Sequence, residues 1–274
     1  MSPPVGLQVV KAHAYGNDFL LVPQSDAQGH DLPALARRMC DRHQGIGADG
    51  LILYEVLADR LRMRLHNADG SPSEISGNGV RCLAAFAIDQ RLAGLTAPHA
   101  REVRIETAAG LKTLQLVERY QGRWTFRATM GVPSGIREVD LEAAGERVRV
   151  VTLSVGNPQC ILLEPLDERR LYTLGPALEH HEVFPDRTNV AFVEVQTPHR
   201  LRILIWERGV GPTAASGTGA CGSAVAAMVY GGAEREVEVV SPGGVQRVEW
   251  REEGLYLTGW AEVLLEGRWV AESA

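Results

Sequence analysis

Two short stretches of this 274-residue chain carry residue types at a spacing that chemistry could use. Ser76-Gly77-Asn78-Gly79 and Ser216-Gly217-Thr218-Gly219 each set a hydroxyl beside two flexible glycines, just ahead of an alanine-rich run. A glycine-rich turn entering a helix exposes unpaired backbone N–H groups at the positive end of the helix dipole. Such a terminus binds a carboxylate or phosphate and lowers the pKa of an acid placed there. Serine is also an ordinary N-cap, and capping alone accounts for either copy taken singly. A pair suggests more. Two related lobes would bring two helix ends to opposite faces of one carbon, where one side chain removes a proton and the other delivers one. Both termini would also hold an α-carboxylate and the negative charge that builds on it.

The duplication extends beyond these turns. Shifted by 140, Leu61–Gly79 falls on Leu201–Gly219 without a gap and with six identities in nineteen positions. The same shift sets Gly16-Asn17 on Gly156-Asn157. At slightly larger offsets Pro33-Ala34-Leu35 answers Pro176-Ala177-Leu178, and Asp41-Arg42 answers Asp186-Arg187. The expected organisation is two homologous lobes: residues 1–120, with 263–274 returning to them, and residues 121–262.

Each copy offers the same elements to position its turn. LQVVKAHAY and VRVVTLSV read as strands, as do GLILYEV, TNVAFVEV, LRMRLHN and LRILIWER. DLPALARRMCDRH and ERRLYTLGPALEHH read as helices. After each Ser-Gly-x-Gly, GVRCLAAFAIDQRLAG and GACGSAVAAMVYGG are helical with glycine-containing exits. VRIETAAGLKTLQLVE and the stretch from Val237 to Leu265 read as β-meanders, with the crossover between lobes near Tyr120–Thr125. The expected fold class is α/β: two pseudo-symmetric lobes, each a mostly antiparallel sheet with a helix led by Ser-Gly-x-Gly.

Bulk properties narrow the partners. The chain is 45% hydrophobic and 23% charged, has a net charge of −6 and lacks any lysine- or arginine-rich block, which disfavours nucleic acid and anionic membrane. No apolar run approaches the roughly 20 residues a membrane helix needs. The N-terminus has no basic segment followed by an apolar core, so no signal peptide is expected. Four cysteines in a chain this long suggest free thiols and a cytoplasmic setting. A small molecule is the expected partner.

The order of motifs resembles the diaminopimelate epimerases over nearly the whole chain. KAHAYGNDFLLV is similar to the family's N-terminal K-x-H-G-x-G-N-D-F segment, and RLHNADGSPSEISGNGVRC to its F-N-A-D-G-S and C-G-N-G-x-R-C block. SVGNPQC, RTNVAFV and WERGVGPTAASGTGAC follow its G-N-P-H, N-V-x-F and E-R-G-x-G-E-T-x-A-C-G-T-G-A-C segments in order. The resemblance implies a cofactor-free, metal-free enzyme of two lobes, each with a sheet wrapped around a central helix. It implies that Asn17, Asn67, Asn157 and Asn189 hold the substrate's distal groups, with Glu207-Arg208 as a charged clamp. It makes Gly77-Asn78 and Gly217-Thr218 the α-carboxylate nests and implies a homodimer.

The match departs where the chemistry sits. The family's two catalytic positions are cysteines, and here they are Ser76 and Ser216. Cys82 and Cys221 belong to the motifs but not to those positions. Gln159 replaces a supporting histidine, Glu207 stands at the second supporting position, Pro212 replaces a glutamate, and Leu265 stands where a dimer-interface tyrosine is sought. A thiol starts near pKa 8.5 and reaches neutrality at a helix N-terminus, whereas an alkoxide is far harder to form. Epimerisation is therefore expected to be very weak or absent, whether both cysteines were replaced deliberately or the chain is a diverged relative.

Other readings compete. Glu207 or Asp69 could serve as a carboxylate base if burial raised its pKa, or the chain could bind an amino dicarboxylate without turnover. Gly217–Gly222 is formally a dinucleotide-binding G-x-G-x-x-G, but such a turn should run straight from strand to helix. Glu179-His180-His181-Glu182 lacks metal-ligand spacing and reads as a solvated helix end. His43 and His66 read as structural histidines.

Overall fold

The computed structural model describes residues 6–90, 92 and 101–270. The chain divides into two compact units, Met1–Arg127 with Trp260–Ala274, and Ala128–Gly259. It passes between them inside two strands, β8 (Arg123–Gly131) and β17 (Gly254–Trp269).

The first lobe begins with β1 (Leu7–Ala14) and β2 (Asn17–Pro23), then α1 (Leu32–Cys40), β3 (Gly50–Val56), β4 (Leu61–Asn67) and the short β5 (Pro72–Ser73). Helix α2 (Gly77–Asp89), β6 (Glu102–Thr107) and β7 (Gly110–Tyr120) complete it. Its sheet runs β17–β1–β2–β3–β4–β6–β7, with β5 appended to β4. Among these described pairs β2–β3 and β4–β6 alone are parallel, each spanned by a helix, as parallel neighbours require. The glycine-containing exit expected for α2 at Gly94 lies outside the described residues; the observed cap is Gln90.

The second lobe repeats the scheme with β9 (Ser134–Ala143), β10 (Glu146–Ser154), β11 (Pro158–Leu163), α3 (Glu168–Glu179), β12 (Asn189–Thr197) and β13 (Arg200–Glu207). β14 (Gly211–Thr213), α4 (Gly217–Tyr230), β15 (Glu236–Ser241) and β16 (Gly244–Arg251) follow. The order β9–β10–β11–β12–β13–β15–β16, with β14 on β13, has the same parallel pairs in the same places. Even the register agrees: Leu65↔Ser73 and His66↔Pro72 become Ile205↔Thr213 and Trp206↔Pro212, a shift of 140 on both strands.

One matched pair is not equivalent. Pro33 sits in the first turn of α1, where a missing N–H costs nothing, whereas Pro176 lies in the last turn of α3. The crossover helices differ in length, so likeness at those positions is coincidental.

The Ser-Gly-x-Gly helices are the inner elements of their lobes. α4 is buried at Gly217 and from Gly219 to Ala227, so its small residues suit an element covered all round. It packs on β10–β13, β15 and β16, and α2 packs on β1, β2 and β6. The outer helix α3 is pinned by a close approach: a Cβ on Gly175 would lie 2.8–2.9 Å from ring atoms of Trp206. Alanine at a helical position gains up to about 1 kcal/mol over glycine, but overpacking costs about 1–3 kcal/mol. Gly175→Ala is therefore expected to lower stability by about 1 kcal/mol, read as an earlier urea midpoint.

Candidate active site

Each candidate base is fixed by its own helix. Ser76 caps α2 with extended backbone, and its Oγ accepts from Gly79 N at 3.1 Å. Ser216 caps α4 in the same conformation, and its Oγ accepts from Gly219 N at 3.2 Å. Glycine is needed three residues on: a Cβ there would stand 3.3 Å from Ser76 Cβ in one lobe and 3.1 Å from Ser216 Cβ in the other. Around Gly77 a Cβ would meet nothing within 4 Å, which leaves that nest open.

Behind each nest stands an asparagine delivered by a turn. Gly16 and Gly156 adopt φ of 85° and 90°, a left-handed conformation that suits glycine, and Asn17 and Asn157 follow them directly. Asn78 Nδ2 donates to Asn17 Oδ1 at 3.1 Å; Asn157 Nδ2 donates to Thr218 Oγ1 at 3.3 Å. The two bonds join equivalent positions 61 residues apart, with donor and acceptor exchanged. What orients each amide differs. Asn17 Nδ2 donates to Asp49 Oδ2 at 2.7 Å, whereas Asn157 Oδ1 accepts from Gln159 Nε2 at 2.7 Å.

The first-lobe nest is backed by charge. Asn78 accepts from Arg81, which is 1% exposed and lies 5.7 Å from the Tyr15 ring. Asp49 receives Arg42 at 2.7 Å, and Arg42 also grips Asp18 at 2.8 and 3.2 Å. Lys11 Nζ reaches Asp18 at 3.0 Å. Burial would raise the Asp18 pKa, but hydrogen bonds from Arg42 and Lys11 outweigh it and hold the carboxyl below its ordinary range. The sequence reading assigned no role to Lys11, Asp18, Arg42, Asp49 or Arg81, because lone charges flanking a motif carry no periodic signal.

The remaining candidates fall into separate local groups. Asn67 Nδ2 donates to Ser71 Oγ at 3.0 Å on the β4–β5 turn. Asn189 Nδ2 donates to Pro158 O at 3.1 Å, and its Oδ1 accepts from Arg208 N at 3.1 Å. Arg208 Nη1 donates to Asp186 O at 3.0 Å, and Thr213 Oγ1 donates to Glu207 Oε1 at 2.7 Å. Gln159 is 1% exposed, with Gly222 leaving room for its side chain. An amide offers two donors and two acceptor lone pairs, more than these bonds use at Asn67 and Asn189.

The competing groups fare unequally. Asp69 accepts from the Ser71 hydroxyl at 2.6 Å and the Ser71 amide at 2.8 Å, and those bonds lower its pKa. The shift at Asp69 runs opposite to the raised pKa that a carboxylate base would need. His66 Nδ1 is 3.3 Å from Gly70 O, a structural contact, and His43 is exposed. β14 and the cap intervene between β13 and α4, unlike a dinucleotide-binding turn. Glu179 corrects the expectation of a solvated helix end: it is 3% exposed and hydrogen-bonded, while His180 and Glu182 are exposed. Three of the thiols are poorly suited to substitute for the serines. Burial pushes Cys40 up to about 12, and raises Cys82 and Cys160 further.

Known proteins resemble this chain over nearly its whole length. A family model described as diaminopimelate epimerase matches residues 9–136 and 151–264. The diaminopimelate epimerase of Desulforudis audaxviator (strain MP104C) is 43% identical over 286 aligned residues, covering 96% of this chain and 99% of that protein. The diaminopimelate epimerase of Desulfitobacterium hafniense (strain DSM 10664 / DCB-2) is 39% identical, with 95% and 97% covered. In fold, the chain is similar to a crystal structure of a hydroxyproline epimerase from Agrobacterium vitis with bound trans-4-hydroxy-L-proline. That likeness has a TM-score of 0.69 at 16% identity, over 98% of this chain and 93% of the other.

Proposed function

The chain belongs to the diaminopimelate epimerase family, and from that premise we propose that it holds diaminopimelate and addresses the α-carbon with two capped helix ends. The observation that carries this reading is the repeated nest, Ser76 with Asn78 and Asn17 in one lobe, Ser216 with Thr218 and Asn157 in the other. A cofactor-free inversion needs a base on one face of the carbon and an acid on the other. It also needs N–H donors for the carboxylate as it takes up charge, which a helix N-terminus supplies. In this reading Gly77-Asn78 and Gly217-Thr218 receive the α-carboxylate. Asn17, Asn67, Asn157, Asn189 and the Glu207-Arg208 pair receive the distal amino and carboxyl groups, and Gln159 and Glu207 back the two acid/base positions.

With hydroxyls at both positions, the reaction from the LL to the meso isomer is slow or absent. Each pKa unit that separates a hydroxyl from a thiol costs about 1.36 kcal/mol in forming the base. The reading places the chain in lysine and peptidoglycan-precursor synthesis in the cytoplasm, in keeping with four buried free cysteines. It also makes the chain a homodimer, a family implication with which exposed Leu264 and Leu265 on β17 are consistent.

The test is incubation with LL- and meso-diaminopimelate in deuterated water, with deuterium at the α-carbon followed by mass spectrometry. The serine chain is expected to incorporate little, and Ser76→Cys/Ser216→Cys to incorporate readily. If neither form exchanges, the chain is a diverged isomerase or a binding protein, with Glu207 as the remaining carboxylate base. Rapid exchange by the serine chain would overturn the argument from hydroxyl acidity.

A further inference from the structure

The segment that carries Glu207 and Arg208 leaves β13 at a point where a buried acid gathers three donors. Glu179, the last residue of α3, accepts from Trp206 Nε1 on Oε2 at 2.7 Å. Its Oε1 accepts from Gly209 N at 2.8 Å and from Arg187 Nη1 at 3.3 Å. Trp206 and Gly209 bracket Glu207-Arg208, so one side chain holds the segment on both sides. The Glu179 backbone extends the same clamp: its carbonyl accepts from Thr188 N at 3.3 Å, and the next residue, Asn189, accepts from Arg208 N.

A buried carboxylate is costly unless charge and hydrogen bonds compensate it. Here every partner lies in or beside that segment, or on Arg187, which holds a left-handed φ of 60° for a non-glycine residue. Trp206 in turn is wedged against Gly175 of the same helix. The helix end is therefore tied to the segment by its side chain, by its backbone and by packing.

We propose that Glu179 is a positioning residue for Glu207 and Arg208: its carboxylate, clamped between Trp206 Nε1 and Gly209 N, fixes the segment whose charged pair takes the distal end of the substrate. The role assigned to that pair rests on the reading above, whereas the anchoring itself does not.

Two measurements on the full chain separate these claims. Without ligand, Glu179→Gln keeps the shape but removes the charge and one acceptor, so an indole or amide donor loses its partner. Hydrogen exchange across residues 207–211 is expected to quicken about 10-fold, with α4 keeping its protection. With meso-diaminopimelate, calorimetry is expected to give a dissociation constant raised about 10-fold. Unchanged protection at 207–211 overturns the proposal, whatever binding does. Should Glu179→Gln fold poorly, Trp206→Phe removes one donor and keeps the acid; it is expected to quicken exchange of the same segment, and no change overturns the proposal. If the parent chain does not bind diaminopimelate, the substrate reading fails, and exchange still decides the anchoring.

Discussion

Replacing Ser76 and Ser216 together by cysteine is expected to raise α-carbon epimerisation of diaminopimelate by about 10³-fold or more, measured as conversion of the LL to the meso isomer by chiral chromatography. The magnitude follows from acid–base catalysis, where one well-placed group contributes about 10²–10⁴-fold, and from the acidity gap between thiol and hydroxyl. The receiving geometry favours the thiolate. Each cap already accepts a backbone N–H, from Gly79 or Gly219, at the positive end of a helix, where thiol pKa values fall to about 3.5–7.5. The two substitutions should act as a unit, because a transfer through one face stalls when the other face lacks its acid. Either single replacement is expected to fall well short of the pair. Cys40, Cys82 and Cys160 cannot lend activity to the serine chain, since burial holds their thiols protonated.

The second large effect concerns stability. Asp18→Ala is expected to cost the folded state about 2–3 kcal/mol, read from urea unfolding at neutral pH. Removing one partner of a buried pair costs about 3–5 kcal/mol; the lower figure allows for Arg42, which is half exposed and screened by solvent. The substitution leaves Lys11 without its carboxylate and removes an acceptor from Asp49 N, which Asp18 Oδ1 meets at 3.1 Å. Asp49 orients Asn17, so the loss reaches the first nest. A pH dependence follows. Because the folded Asp18 pKa is depressed, its stabilisation is fully present above the unfolded carboxylate range near pH 4 and is lost as pH falls through the lower folded value. The gap between parent and Asp18→Ala should therefore narrow in acid.

The repeat in the sequence foretold much of this architecture. A shift of 140 carries Gly16-Asn17 to Gly156-Asn157 and Ser76 to Ser216, and the backbone uses both sets alike, down to the register of β5 and β14. Motif residues were legible because small residues at fixed intervals have few structural reasons to recur. The supports were not. Asp49, Arg81 and Glu179 act through contacts 30 or so residues away or through burial, and a charged side chain in sequence looks solvated. Glu179 shows the point most clearly: beside two histidines and a second acid it reads as a polar helix end, yet its indole and amide partners lie 27 and 30 residues downstream. The proline match failed for another reason. Crossover helices need only span parallel strands, so α1 and α3 are free to differ in length.

The measurement that tests the central claim most directly is calorimetric titration of the serine chain with meso-diaminopimelate, LL-diaminopimelate and L-lysine, which lacks the distal carboxylate. If the nests and the Glu207-Arg208 segment take the two ends of the substrate, both diaminopimelate isomers bind and lysine binds at least about 10-fold more weakly, the discrimination expected when the charged partner of the distal carboxylate goes unmatched. No binding of either isomer, or lysine bound equally well, would contradict it.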